Sequence, residues 1–155
     1  MNQQLTPALK RVLIVEDDKF LADLLAQRFS KEKELVVDIV SDGESGLDHA
    51  SLKFSFEIAE NGKDGLDKAR AQLPELILLD LVLPGIDGYE VLARLKKDPA
   101  TAAIPVVILS NLGRKEEIDK GLQMGAESYL VKASTDLDEI VAKAKEVLKK
   151  HEEKS

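Results

Sequence analysis

The sequence predicts an α/β domain built on a doubly wound parallel sheet. Three observations predict it. Short apolar runs alternate with helical patterns along the chain. The runs are apolar at every position, as strands covered on both faces are. Polar residues directly follow them, where open parallel sheets bind ligands. The 155 residues fit one domain, 1–155, and 44% hydrophobic against 33% charged residues excludes a disordered chain.

The elements follow in order. Arg11–Val15 is β-branched and too short for a helix, so it reads as a buried strand. Phe20, Leu21, Leu24, Leu25 and Phe29 then share one helical face. Leu76–Leu79 is a second buried strand, closed by Asp80. Pro84–Gly88 is turn chemistry, followed by a helix burying Val91, Leu92 and Leu95 and ended by Pro99. Val106–Leu109 is the next strand, and Ile118, Leu122 and Met124 mark a helix that stops at Gly125. Tyr129–Val131 is another strand. A last helix from about Asp136 to Lys150 buries Leu137, Ile140, Val141, Ala144, Val147 and Leu148, its lysines gathered where the macrodipole favours them.

The stretch from Ser30 to Leu76 contains a repeat. Asp38–Ala50 aligns with Glu57–Ala69, 19 residues on, with six of thirteen pairs identical. Each copy reads as a strand, a turn (Asp42-Gly43, Asn61-Gly62) and an amphipathic helix. Residues 33–53 thus read as an extra βα unit duplicating about 54–72, too few copies for a solenoid. Chance likeness between two βα units is the plainer alternative.

Composition narrows the partners. Cysteine is absent, which excludes a disulfide framework, a cysteine-bound zinc site and a thiol nucleophile. The net charge of −7 argues against duplex DNA. No apolar run approaches the roughly 20 residues of a membrane span. Met1–Leu9 lacks the basic and apolar regions of an export signal. The expectation is a cytoplasmic protein binding neither nucleic acid nor membrane.

The chemistry sits after the strands: Glu16-Asp17-Asp18, Asp80, Ser110-Asn111 and Lys132. Taken singly each has a plain reading: a solvated loop or helix cap, a turn, a cap and a surface charge. Their joint occurrence at successive strand ends points further. Clustered carboxylates raise one another's pKa unless a cation joins them, and a hard divalent ion such as Mg²⁺ would do so. A lysine and a hydroxyl beside them suit phosphoryl oxygens. The residues thus read as a Mg²⁺-dependent phosphoryl site with a carboxylate as candidate nucleophile.

The runs Val12–Asp18, Leu78–Gly88, Val106–Ser110 and Gly125–Lys132 together resemble a response-regulator receiver domain, over nearly the whole chain. The steps from Asp80 to Ser110 and from Ser110 to Lys132 match that family's spacing. The resemblance implies a flavodoxin-like three-layer fold of five core strands, ordered 2-1-3-4-5. It implies that Asp80 accepts a phosphoryl group from a histidine kinase or histidine phosphotransfer protein. Asp17 would ligate Mg²⁺ directly and Glu16 largely through water, with Asp80 and the Val82 backbone carbonyl completing the set. Asp18 would open the helix. Lys132 would bind a phosphoryl oxygen, while Ser110 and Tyr129 would be the switch; Tyr129 also reads as an ordinary half-exposed strand aromatic.

Two departures stand out. Ala133 follows Lys132 where the family usually has proline, often behind a cis bond; a non-proline cis bond costs about 2.5–4 kcal/mol, so either a trans bond with a rebuilt loop or a strained cis bond is expected. The step from Asp17 to Asp80 exceeds the family's by about one βα unit. The spare strand, Leu35–Val40 against Phe54–Ala59, could extend the sheet edge, lose its slot and form a loop, or pair with a second copy. Its apolar residues favour an ordered sixth strand, away from the phosphoryl rim.

Only His151–Ser155 follow the last helix, so output is expected through a downstream protein target, by the fourth-helix, fifth-strand and fifth-helix surface (about 114–150). That surface or the duplicated edge could carry a homodimer. Autophosphorylation and autodephosphorylation alone do not make it an enzyme. Three competing readings remain. A dehalogenase-like phosphatase would want an aspartate where Val82 stands. A flavin binder would not place Glu16-Asp17-Asp18 against a phosphate. The third is an engineered or duplicated scaffold with a vestigial site. His49 and His151 read as solvated, without a role.

Overall fold

The computed structural model describes residues 10–30, 37–38 and 54–154. Its elements are β1 Lys10–Val15, α1 Lys19–Ser30, β2 Val37–Asp38, β3 Phe54–Ala59, α2 Gly62–Gln72, β4 Leu76–Leu79, α3 Gly88–Lys97, β5 Val106–Ser110, α4 Lys115–Gln123, β6 Ser128–Val131 and α5 Leu137–Lys154. The strands form one parallel sheet ordered β2-β3-β1-β4-β5-β6. Five of them are the expected core. The sixth is the two-residue β2, which pairs Val37 with Phe54 and Asp38 with Ser55 at the edge. The rest of the 33–53 unit, with its Asp42-Gly43 turn and His49, lies outside the described residues.

Strand alternation divides the core into two layers. Val12, Ile14, Leu76, Leu78, Val107 and Leu109 face Ala22, Leu25 and Phe29 of α1 and Ile140, Val141, Ala144, Val147 and Leu148 of α5. Leu13, Val15, Ile77, Leu79, Val106 and Ile108 face Ala69 of α2 and Val91, Leu92 and Leu95 of α3. The uniformly apolar strands are therefore covered twice, and every strand's carboxyl end opens on one rim.

The helix starts are set by side-chain caps. Asn61 accepts the Asp64 N–H (2.8 Å), and Asp87 accepts that of Glu90 (3.0 Å). Asp136 and Glu139 cap α5 reciprocally, at 2.9 and 2.8 Å. Gly88, at the start of α3, permits a close approach. A Cβ there would stand 2.4 Å from both the Asp80 carbonyl oxygen and the Leu81 Cα, with the Gly88 N–H already bonded to Leu81 O (2.8 Å). Backbone cannot yield as a side-chain tip does, so Gly88→Ala should cost about 3 kcal/mol in chemical denaturation. An unchanged midpoint would show that the loop after Asp80 is pliant.

Two expectations need correction, those for Phe20 and His151, and Leu122 of α4 is a further exposed apolar residue. Phe20 is 74% exposed, because the residues of α1 buried against the sheet are Ala22, Leu25 and Phe29, a stripe that does not include position 20. Leu122 is 43% exposed, because α4 turns Gly121 to the sheet; a Cβ there would stand 2.7 Å from Ile108 Cδ1. His151 is not merely solvated: α5 runs on to Lys154, and the imidazole Nε2 lies 3.1 Å from Glu127 Oε1 while Lys150 Nζ lies 3.0 Å from Oε2.

Burial alone would raise the Glu127 carboxyl, but hydrogen bonds from Lys150 and His151 and their charge hold it below its ordinary value. A depressed acid stabilises the fold above its unfolded pKa, and that stability is lost as pH falls through the folded value. Glu127→Gln should therefore cost about 0.5–1 kcal/mol at pH 7. The gap from wild type should close as pH falls below the usual carboxylate range, in denaturation followed against pH.

Candidate functional site

Four adjacent strands, β1, β4, β5 and β6, end in the residues singled out from the sequence. Glu16 follows β1, tied to the sheet by its N–H to Ala59 O (2.9 Å), and is 3% exposed. Asp80 follows β4, with its N–H on Val15 O (3.0 Å), and is 5% exposed. Lys132 leaves β6 and places its ammonium between them, 2.7 Å from Glu16 Oε1 and 3.0 Å from Asp80 Oδ2. The exposed Asp17 completes the group: one carboxylate oxygen each of Glu16, Asp17 and Asp80 lie within 4.8 Å of one another.

The loops orient these groups. Glu16 Oε2 accepts the Asp18 N–H (3.0 Å), and Asp18 Oδ1 accepts that of Leu21 (3.1 Å), so Asp18 opens α1 as expected. Asp80 Oδ1 accepts the Val82 N–H (3.2 Å), which fixes the carboxylate plane. Among the described residues no peptide bond is cis. The Lys132–Ala133 bond is thus trans, and Lys132–Ser134 form a single 3₁₀ turn that still delivers the amine to the acids.

Burial pushes the Glu16 carboxyl up; the hydrogen bond from Lys132 and the Asp18 N–H oppose this, while the neighbouring Asp80 charge adds to it. For Lys132, burial works toward the neutral amine, yet its bonds to Glu16 and Asp80 hold the pKa above normal, keeping it an ammonium. Three carboxylates face one ammonium. The all-oxygen donor set with surplus negative charge fits a hard divalent cation.

Ser110 and Tyr129 flank the cluster. Ser110, the fully buried last residue of β5, accepts the Leu112 N–H on Oγ (3.4 Å). Tyr129 is half-buried, and its hydroxyl donates to the Leu112 carbonyl. Burial, then the neighbouring Tyr89, Glu117 and Asp80, push that phenol up to about 12, so it remains a donor. Ser110 and Tyr129 therefore meet through one residue, Leu112. Sequence reading missed Leu112, Glu117 and Tyr89, which organise this side of the rim. Backbone carbonyls leave no trace in a residue pattern, and a tyrosine one place into a helix reads as core.

Comparison with known proteins agrees with this geometry. A sequence model of the response regulator receiver domain matches residues 49–145. The DNA-binding dual master transcriptional regulator RpaA of Synechocystis is 31% identical over 142 residues, 92% of this chain and 50% of that protein. Protein PilH of Pseudomonas aeruginosa is 43% identical over 76 residues, covering 48% of this chain and 61% of its own length. The chain thus spans half of the first relative. The CheY-like receiver domain protein from Methanospirillum hungatei superposes with a TM-score of 0.75 at 25% identity, over 96% of this chain and all of that one. The Francisella response regulator 1452 receiver domain gives 0.73 at 25%, over 92% and 98%.

Proposed function

Since the chain belongs to the response-regulator receiver family, the phosphoacceptor modules of two-component systems, we propose that Asp80 takes the phosphoryl group here and that Ser110 and Tyr129 relay its arrival. The observation that carries this reading is the Lys132 ammonium joined to buried Glu16 and Asp80, with Asp17 alongside. Receiver domains partner with histidine kinases or phosphotransfer proteins and are signalling modules rather than classical enzymes. The cognate donor would carry phosphohistidine. The N–P bond of that donor breaks, an Asp80 carboxylate oxygen bonds to phosphorus, and the freed imidazole takes up a proton.

Each side chain has a task in that transfer. Glu16, Asp17 and Asp80, with the Val82 carbonyl, would hold Mg²⁺, which when bound neutralises charge on the phosphoryl oxygens. The Val82 N–H holds the Asp80 carboxylate in plane. Lys132 would turn from Glu16 to a phosphoryl oxygen, and the Ser110 hydroxyl would turn from Leu112 to another. Residues 33–53 would be an extra βα unit duplicating about 54–72; the strand described within them, Val37–Asp38, lies at the sheet edge, separated from β1 by β3. Among the described residues no helix is long and apolar enough to cross a membrane.

Incubation with acetyl phosphate tests the reading. With Mg²⁺ the protein should gain one acid-stable, hydroxylamine-labile phosphoryl group by intact mass, and with excess EDTA none. A folded sample that gains none under either condition would sink it and favour a scaffold with a vestigial site.

A further inference from the structure

Tyr89 is absent from the transfer described above, yet it is fastened to the helix that follows the Ser110 strand. It lies in the first turn of α3, half-buried, and its hydroxyl donates to the Glu117 carbonyl oxygen in the first turn of α4 (3.0 Å). Lys120 sets its ammonium over the ring, 4.2 Å from the centroid. Glu117 in turn closes the start of α4: its carboxylate accepts the Arg114 N–H, and its N–H donates to the Arg114 carbonyl, both at 2.9 Å. One end of the 111–114 connection is therefore held from α3 through Tyr89. The other end is held from β6, where Tyr129 bonds the Leu112 carbonyl while the Leu112 N–H holds Ser110 Oγ. Gly121 allows this close stacking, since a Cβ there would stand 3.1 Å from the Tyr129 ring.

We infer that Tyr89 is a positioning residue that latches α4 and the 111–114 connection in the arrangement where Leu112 holds the Ser110 hydroxyl. The inference rests on the proposed phosphorylation of Asp80 and adds a control over it. For Ser110 to reach a phosphoryl group, Leu112 must let go and the connection must shift, and the Tyr89 hydroxyl opposes that shift from a separate helix. Burial, with Glu117 and Asp87, pushes the Tyr89 phenol up, so the latch stays a donor at neutral pH. A hydrogen bond made in one arrangement and lost in the other biases the two by about two- to tenfold.

Tyr89→Phe in the full chain tests this, because it keeps the ring and its Lys120 contact and removes only the hydroxyl. Without any phosphodonor, amide exchange over residues 112–121 should quicken by about fivefold or more while the rest of the chain keeps its protection. With Mg²⁺ fixed, the acetyl phosphate concentration that half-phosphorylates the protein should fall by about two- to tenfold. Unchanged exchange overturns the latch, as does quickening spread over the whole chain. Quickened local exchange with unchanged or raised half-saturation also overturns it, leaving the hydroxyl a structural bond. If wild type takes up no phosphoryl group, the receiver reading fails and the latch falls with it. Phosphorylated wild type with an indistinguishable Tyr89→Phe overturns the latch alone.

Discussion

Asp80→Asn should abolish phosphoryl uptake from acetyl phosphate and Mg²⁺, leaving an intact mass identical to the untreated variant. The amide has the shape of the acid but no nucleophilic anion, so the loss should be at least about 100-fold, the scale of removing a reacting group rather than a helper. Folding should survive. The amide oxygen can still accept the Val82 N–H, and Lys132 keeps Glu16 at 2.7 Å. Removing one buried carboxylate also lifts part of what raises the Glu16 pKa, since the Asp80 charge contributes to that rise. The melting temperature should therefore stay level or increase slightly. Undiminished phosphorylation would place the acceptor elsewhere, and an unfolded variant would show that Asp80 is structural first.

Much of this was legible in the sequence because it rests on local pattern. Val12–Val15, Leu76–Leu79 and Val106–Leu109 are apolar at every position, and the sheet buries both their faces. The site residues were legible for a related reason: a polar residue directly after such a strand must emerge at its carboxyl end, as Glu16, Asp80 and Lys132 do. What escaped depends on the rotation of helices and on backbone partners. Phe20 shares a predicted apolar face with Leu25 and Phe29, yet α1 turns it elsewhere, since neighbouring residues differ by about 100° around the axis. The Tyr89 bond ends on a carbonyl 28 residues away, and no residue identity at position 117 encodes that carbonyl. Glu127 was unremarkable in sequence, because its partners Lys150 and His151 reach it only after α5 crosses the sheet.

Lys132→Met should be the most destabilising change at the rim. The thioether keeps most of the stem, so packing is nearly conserved and the missing ammonium dominates. Glu16 and Asp80 would then face each other buried with no cation between them, and breaking a buried pair in this way costs about 3–5 kcal/mol. For a chain of this size that lowers the melting temperature by about 10 °C. The pH dependence has a definite sign. The Glu16 pKa is already raised by burial and would rise further without the lysine bond, so the folded state binds its proton more tightly than the unfolded. Stability of the variant therefore falls as pH rises through that elevated value, and its deficit should shrink on acidification. Because the three carboxylates remain, millimolar Mg²⁺ should raise the variant's melting temperature more than that of wild type, whose own ammonium competes for the same oxygens. Phosphoryl uptake should still be about 100-fold slower with Mg²⁺ present, since the cation does not replace the donor that Lys132 offers a phosphoryl oxygen. A variant as stable as wild type at neutral pH without Mg²⁺ would mean that water already screens Glu16 from Asp80, and the electrostatic account of this rim would have to be abandoned.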